Sequence, residues 1–464
     1  MMSKKTKKLI SNLATFALGN LGSKLISFIL IPIFTRYMST SEFGHVDIIT
    51  TTVNMLLPMV ALSVSEAVFR FVMDKRFKSN EVLSTGLLFT LVMIVVTLVL
   101  YPLLYWLGVK YVGYLLIYLS LALIQSLFQN FIRGVGYVKE FAVNGLLGSF
   151  VLALVGVYRI VFQHAGIVGY LDALLASTIF SVLFLFFVTK LWRFLSISLA
   201  NKKLLRKMLL YSIPLIPNSF LWFFTNDANR YFIVGFVGLA ANGIYAVANK
   251  IPTIINVLYT VFSQAWQISA VEEYESNRNS KFFSNVFNAN ISLSVILIGG
   301  ILIVLKPLMA VFVASDYFVA WKIVPALLFA TFFSSLSSFL GTIYLATEKT
   351  RGIMKTTIYG MIANIIFNSV LIPTLKLQGA GIGAAAGFAF IALIRLFDVR
   401  KFIFLQVAWK DLCMSLILLS GMSGLQYLFR TNSSLLYGSL ILCELLLLLV
   451  NIKSLCRIRK SVKD

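Results

Sequence analysis

Residues 8–44 read KLISNLATFALGNLGSKLISFILIPIFTRYMSTSEFG. From Leu9 to Phe34 the stretch is predominantly apolar, with a lysine, Lys24, near its middle and a proline, Pro32, near its end. Its 26 residues, wound as a helix at ~1.5 Å each, make a rod of roughly 39 Å, long enough to cross a bilayer core of ~30 Å with some tilt. A lysine halfway along such a rod is costly against lipid, so it must face protein or water.

Composition points the same way. The chain has 464 residues, 59% of them hydrophobic and 12% charged, which leaves too little polar surface to close a soluble globule of that size. A net charge of +23 would suggest nucleic acid in a soluble protein. Here the basic residues gather between apolar segments and not along one face, which argues against a nucleic-acid partner. Lys4, Lys5, Lys7 and Lys8 could open a secretory signal. The apolar run behind them is about twice the ~7 to 15 residues such a signal needs and ends in Arg36-Tyr37, so it reads as a retained first membrane helix. Cys413, Cys443 and Cys456 show no paired spacing, hence no disulfide framework and no zinc site.

Hydropathy windows of about 19 residues mark fourteen candidate spans, at 9–34, 46–72, 82–107, 111–132, 141–162, 167–189, 208–237, 243–270, 287–314, 320–347, 354–374, 381–402, 412–429 and 435–450. Connections are short, with no room for a folded domain on either side. If the N-terminus lies inside, the inner segments hold thirty of the forty Lys and Arg residues, which puts both termini on the cytoplasmic face.

An internal repeat organises the spans. Glu42-Phe43-Gly44-His45-Val46 after the first span finds an echo in Ala241-Asn242-Gly243-Ile244-Tyr245 after the seventh, an offset of 199. Gly166-Ile167-Val168-Gly169 is echoed by Ala380-Gly381-Ile382-Gly383 at the matching place in the second group of six spans. Six is even, so the groups share an orientation and the repeat is parallel, about an axis along the membrane normal. The expected fold is an all-α polytopic membrane protein. Two six-helix lobes, 1–190 and 208–405, enclose a cavity and are joined by an amphipathic linker, 191–207. Two C-terminal helices and a basic tail follow at 406–464. The linker mixes Trp, Leu, Arg and Lys, which suits a helix in the inner headgroup region against anionic lipid. A Gly/Ala run at 379–387 allows close helix contact.

Candidates for chemistry are few. His45 and His164 are the two histidines, and no metal or catalytic constellation can be assembled, so no enzyme, metal or cofactor is expected. Ionisable groups inside apolar spans remain. Lys24 shares a helical face with Asn20 and Ser27, four before it and three after. It either meets an anion in a water-filled cavity or pairs with a carboxylate on a neighbouring helix. In the seventh span Pro214 and Pro217 predict a break near Asn218 and Ser219. Asp227 and Arg230, at i and i+3, can pair, and Lys250 lies at similar depth. Those three form either a local ion network or a gate and substrate contact. Glu66 with Arg70, and Arg395 with Asp398, read as helix-end ion pairs, and Arg159 as a snorkelling residue. The semi-buried charge is mainly positive, which implies an anionic cargo.

Several stretches resemble one family. Asn20-Leu21-Gly22-Ser23-Lys24-Leu25, Ile31-Pro32-Ile33-Phe34-Thr35-Arg36-Tyr37-Met38 and Glu42-Phe43-Gly44 look like the start of bacterial oligosaccharide repeat-unit flippases. These form the polysaccharide transporter branch of the multidrug/oligosaccharidyl-lipid/polysaccharide exporter superfamily. Ile216-Pro217-Asn218-Ser219, the run from Asp227 to Ile233, Gly243 to Pro252 and Phe262-Ser263-Gln264-Ala265-Trp266 resemble its seventh and eighth spans. The resemblance implies two six-helix lobes plus two helices, in the bacterial cytoplasmic membrane. It also implies flipping of an undecaprenyl-pyrophosphate-linked glycan for capsule, O-antigen or exopolysaccharide assembly, beside a polysaccharide polymerase and other assembly proteins. Lys24, Arg230 and Lys250 match its basic cavity residues. Similar proteins often carry Asp directly before Arg-Tyr, where this chain has Asn229, and this leaves open any coupling to protons, sodium or membrane potential. The rival readings are a lipid II flippase, a multidrug exporter of the same superfamily, which should carry acidic cavity groups, and a membrane glycan polymerase, which needs catalytic carboxylates or a large loop.

Overall fold

Helices begin and end where the sequence supplies caps, prolines and glycines. The computed structural model describes residues 4–276, 280–347, 349–429 and 434–461, and no strand occurs among them. The helices are α1 (Lys4–Tyr37), α2 (Thr40–Val60), α3 (Val64–Met73), α4 (Ser79–Val99), α5 (Tyr101–Trp106), α6 (Val112–Val135), α7 (Val138–Val157), α8 (Gly166–Val188) and α9 (Lys202–Ser212). They continue as α10 (Ile216–Asn226), α11 (Asn229–Phe236), α12 (Leu239–Ala248), α13 (Lys250–Ser276), α14 (Ser280–Phe312), α15 (Val324–Ala346), α16 (Thr350–Val399), α17 (Trp409–Leu428) and α18 (Ser434–Ser461).

Among the described residues ten helices are long and apolar enough to cross a membrane, and an eleventh arises if α2 and α3, bent by 57°, count as one. Every one of the fourteen expected spans falls on helix. The second runs through α2 and α3, broken after Pro58, where Ser63 takes a left-handed φ of 52°. The eleventh and twelfth lie in α16, which breaks at Lys376 (φ 52°, ψ −129°). The seventh is interrupted by a 3₁₀ turn at Ile213–Leu215 and again between α10 and α11. Pro214 therefore breaks the ladder slightly earlier than expected, and Asn218 and Ser219 sit within the first turn of α10.

The chain forms two compact units, Met1–Phe223 and Phe224–Asp464. In the first, α1 packs on α7, α7 on α8, and α3 on α6. The α1–α2 turn explains why Glu42 occurs in the opening motif. Its carboxylate accepts the Ser39 N–H at 2.8 Å while the Ser39 hydroxyl accepts the Glu42 N–H at 3.3 Å, a reciprocal cap that satisfies two helix-start donors. The other oxygen accepts the Ile167 N–H at 3.3 Å, tying the start of α2 to the start of α8. Gly166 is needed there, because its φ is +51° and a Cβ would collide with Glu42 Oε1.

The 191–207 linker differs from the single headgroup helix expected. Two 3₁₀ turns, Leu191–Arg193 and Ile197–Leu199, precede α9. The strap is stitched to α4, because the Ser196 N–H donates to Ser84 Oγ at 3.0 Å and the Asn201 N–H to Thr85 Oγ1 at 3.1 Å. The amphipathic pattern is real, but the apolar face of α9 covers protein and not lipid. Leu191, Leu204 and Met208 join Val68, Leu83, Phe131 and Leu185 in one buried cluster, while Lys202, Lys203, Arg206 and Lys207 stay exposed.

In the second unit α15 packs along α16, α13 on α15, α11 on α16, and α18 on α14. A polar ladder fastens the last two helices to α14. Asn288 bonds the Gln406 carbonyl and the Ala408 N–H. Ser292 donates to Asn451, which donates to Ser415. Gln426 donates to the Leu302 carbonyl, and Lys306 to the Phe429 carbonyl at 2.8 Å.

Candidate functional site

The break between α10 and α11 places the site. Asp227 and Ala228 leave the helix there, and the Arg230 N–H turns back to the Asp227 carbonyl at 3.2 Å. The side chains close the same turn, with Arg230 Nη1 2.6 Å from Asp227 Oδ1. The guanidinium is 12% exposed and lies 5.9 Å from the Tyr245 ring centroid, whereas the carboxylate is 45% exposed and faces open space. The expected i, i+3 pairing is thus present.

Asn229 has a different task. It is buried, and its Oδ1 accepts from Asn368 Nδ2 at 2.8 Å. Asn368 also donates to the Asn364 carbonyl at 2.8 Å, and Asn364 donates to the Thr225 carbonyl at 3.3 Å. Thr225 lies in the last turn of α10, so the amides satisfy backbone that the break would leave bare. The 379–387 run makes room for them. A Cβ on Gly383 would lie 2.7 Å from Asn368 Oδ1, and one on Gly387 2.9 Å from Asn364 Nδ2.

Beside this amide ladder opens a cavity of about 190 Å³ within the second unit. Asn226 and Asp227 line one wall, and Tyr245, Asn249, Thr253 and Asn256 line another. That second set comes from α12 and α13 at spacings of four, four and three, one polar stripe along an otherwise apolar pair of helices. Sequence reasoning passed over Asn249, Thr253 and Asn256 because they carry no charge, and the signal that finds them is their period. A space of this size holds about six waters or one compact polyhydroxylated group, and its walls offer amides, hydroxyls and a single carboxylate.

The remaining expected residues are dispersed. Lys24 and Ser27 are exposed on one face of α1, and Ser27 Oγ bonds the Ser23 carbonyl at 3.0 Å. Lys24 has no carboxylate partner among the described residues. The side chain of Asn20 lies outside the described residues. Asn218 is exposed on α10, and Lys250 is half-buried at the start of α13 without lining the cavity.

Three expected electrostatic readings are corrected. Glu66 and Arg70 are both exposed and form no ion pair with each other, and the Glu66 charge acts on Arg133 instead. Arg395 does not pair with Asp398. It is buried and donates to Ser337, Thr356 and Thr357, while Asp398 accepts from Tyr344 and Lys401 at 2.8 Å each. Arg159 does not snorkel but chelates Asp172 Oδ2 on α8, at 3.0 Å from Nε. Lys306 was missed altogether. It is 3% exposed, caps the end of α17 through the Phe429 carbonyl and lies 4.5 Å from the Trp321 ring centroid.

Comparison with known proteins places this architecture. A search of curated proteins found no match. Among solved structures, the lipid II flippase MurJ in an inward closed conformation superposes with a TM-score of 0.69 at 14% identity, covering 97% of this chain and 99% of that one. An inward-facing multidrug resistance MATE family transporter of the MOP superfamily gives 0.65 at 17% identity, covering 83% and 93%. An outward-facing form of such a transporter gives 0.59 at 16%, covering 84% and 94%. At these identities the likeness is one of fold. The model of the family described as polysaccharide biosynthesis protein matches residues 9–267, more than half of the sequence, and the chain belongs to that family.

Proposed function

We propose that this protein carries a lipid-linked anionic oligosaccharide from the cytoplasmic to the outer leaflet of a bacterial membrane by alternating access, without covalent chemistry. One observation carries the reading. Lys24 is an exposed ammonium in the middle of an apolar helix, with no carboxylate partner among the described residues. A cation held at that depth is too costly to keep without an anionic ligand or a water-filled path. A pyrophosphate-linked glycan supplies the anion, and the amide-lined cavity beside Asp227 suits its sugars. Membership of the polysaccharide biosynthesis family supports a glycan cargo, and the fold of MurJ, a lipid II flippase, supports a lipid-linked one.

In this reading 1–190 and 208–405 are the two halves whose motion exchanges access, and Asn20, Lys24, Ser27, Asn218, Arg230 and Lys250 are the cargo contacts. Asp227, the one charged residue lining the second-unit cavity, is neutralised by Arg230, so Lys24 is the charge that favours an anion over the organic cations of a multidrug exporter. The test is export of the glycan in cells dependent on this protein, with Lys24→Ala and Lys24→Arg expressed to equal membrane levels. Lys24→Ala should lower export at least about tenfold, the worth of one desolvated charge-assisted contact, and Lys24→Arg should restore most of it. Wild-type export by Lys24→Ala would overturn the assignment.

A further inference from the structure

A second cavity, of about 540 Å³, lies in the first unit between α4 and the strap that follows α8. Leu87, Leu88 and Leu91 form its floor on α4, Leu195 its roof on the strap, and Ser196 and Ser198 part of its rim. The strap cannot close it. The hydrogen bonds from Ser196 and Asn201 to α4 hold the strap at the first turns of the helix, and two 3₁₀ turns are too short to cover the next two. Leu88 and Leu91 remain 46% and 44% exposed, and the same face of α4 continues through Val92, Val95 and Val99, all exposed.

The charge of the strap is one-sided, against the single Glu81 in the first turn of α4. Residues 190–207 contain six Lys or Arg (Lys190, Arg193, Lys202, Lys203, Arg206 and Lys207) and no Asp or Glu. Lys202 and Lys203 follow directly on Asn201, whose backbone is bonded to Thr85, so two exposed ammonium groups are held at the α4 end of the slot. Arg193 is exposed two residues before Leu195. The buried face of α9 fixes the backbone that carries Lys202 and Lys203, because Leu204 and Met208 are locked in the core cluster. An apolar slot that opens along a lipid-facing helix, rimmed by hydroxyls, with exposed cations a few residues away along the strap, has the shape and charge of one amphiphile with an anionic head.

We propose that this slot is a specific site for one anionic phospholipid, its phosphate among Lys202, Lys203 and Arg193 and one acyl chain over Leu87, Leu88 and Leu91. The site lies wholly within the first unit and uses none of the cargo contacts assigned above. Its occupant braces the strap against α4.

Native mass spectrometry of the full-length protein tests this, with phosphatidylglycerol and phosphatidylcholine of identical chains titrated into the same detergent. Phosphatidylglycerol should be retained as a single adduct at about tenfold lower concentration than phosphatidylcholine, as fixed cations at a membrane surface predict. Leu91→Trp, at an exposed position that tolerates bulk, should fill the slot and abolish that adduct. The pair Lys202→Glu and Lys203→Glu should remove the preference while leaving weak retention of both lipids. Thermal midpoints in lipid-free detergent should match wild type for both variants, which separates loss of the site from loss of the fold. Equal retention of the two lipids, or an adduct unchanged by Leu91→Trp, would overturn the proposal. So would retention of a polyprenyl phosphate in preference to phosphatidylglycerol, which would assign the slot to cargo.

Discussion

Asn368 on α16 donates its side-chain amide to Asn229 Oδ1 on α11 at 2.8 Å, and both residues are buried. This contact joins a helix that begins at a break to one that passes the break intact, and it does so without charge. Truncation should therefore leave several orphaned polar groups at once. Asn368→Ala is expected to cost about 1–3 kcal/mol, the penalty for an unsatisfied buried partner, seen as a lower thermal midpoint in detergent. Asn368→Gln should not rescue it, because the close approach of Gly383 leaves no room for the added methylene. An unchanged midpoint for Asn368→Ala would show that the amides are solvated.

Glu42 ties two helix starts together with one carboxylate. Glu42→Ala removes the cap partner of Ser39 and the acceptor of the Ile167 N–H, and should destabilise by roughly 1–2 kcal/mol. Gly166→Ala should be at least as harmful, because it meets both the left-handed φ and the Glu42 oxygen. The double variant Glu42→Ala with Gly166→Ala is expected to cost less than the sum of the singles, since the clash disappears with the carboxylate. Strict additivity in thermal unfolding would contradict the contact.

Arg395 is a buried guanidinium with neutral partners only among its described hydrogen bonds. Lysine cannot span Ser337, Thr356 and Thr357 together, yet it carries the same desolvation cost. Methionine removes the charge, and Thr356 and Thr357 already donate to carbonyls one turn back. Arg395→Lys should then lower the thermal midpoint more than Arg395→Met does. The reverse order would show that a cation is needed at this place.

In the turn between α3 and α4, Arg76 donates to Asp74 through its side chain and backbone and holds that carboxyl down at about 2, against an ordinary 3.8. A carboxylate depressed in the folded state contributes order above its unfolded value. That contribution is lost as pH falls from near 4 towards 2. Hydrogen exchange at the Arg76 amide should quicken over that window beyond its intrinsic pH dependence, and Asp74→Asn should remove the excess. Because the turn is exposed, global unfolding should be unaffected.

Hydropathy made the spans and their approximate ends legible, since long apolar runs state their own length. The Asp227–Arg230 pair was legible too, because both partners lie on one turn. What stayed hidden depends on partners far along the chain. Arg395 was read with Asp398, three residues away, when its ligands are 38, 39 and 58 residues off. The strap was read as facing lipid because its amphipathic pattern does not say what covers the apolar side. The breaks at Ser63 and Lys376 arise at non-glycine residues with positive φ, which composition does not flag. The neutral amides around the cavity were overshadowed by the charges beside them.

The ladder that fastens α17 and α18 to α14 also sets a clock on biosynthesis. Ser292 meets Asn451 across 159 residues of chain, an interval of roughly 8 to 30 s at ribosomal speeds of about 5–20 residues per second. Asn288 and Lys306 wait for partners 118 to 123 residues downstream and Ser292 for one 159 residues downstream, so α14 carries unmatched polar groups for most of that time. The insertion machinery must shelter this helix until the chain is nearly finished, and a ribosome stalled beyond it would leave behind a ready target for membrane quality control.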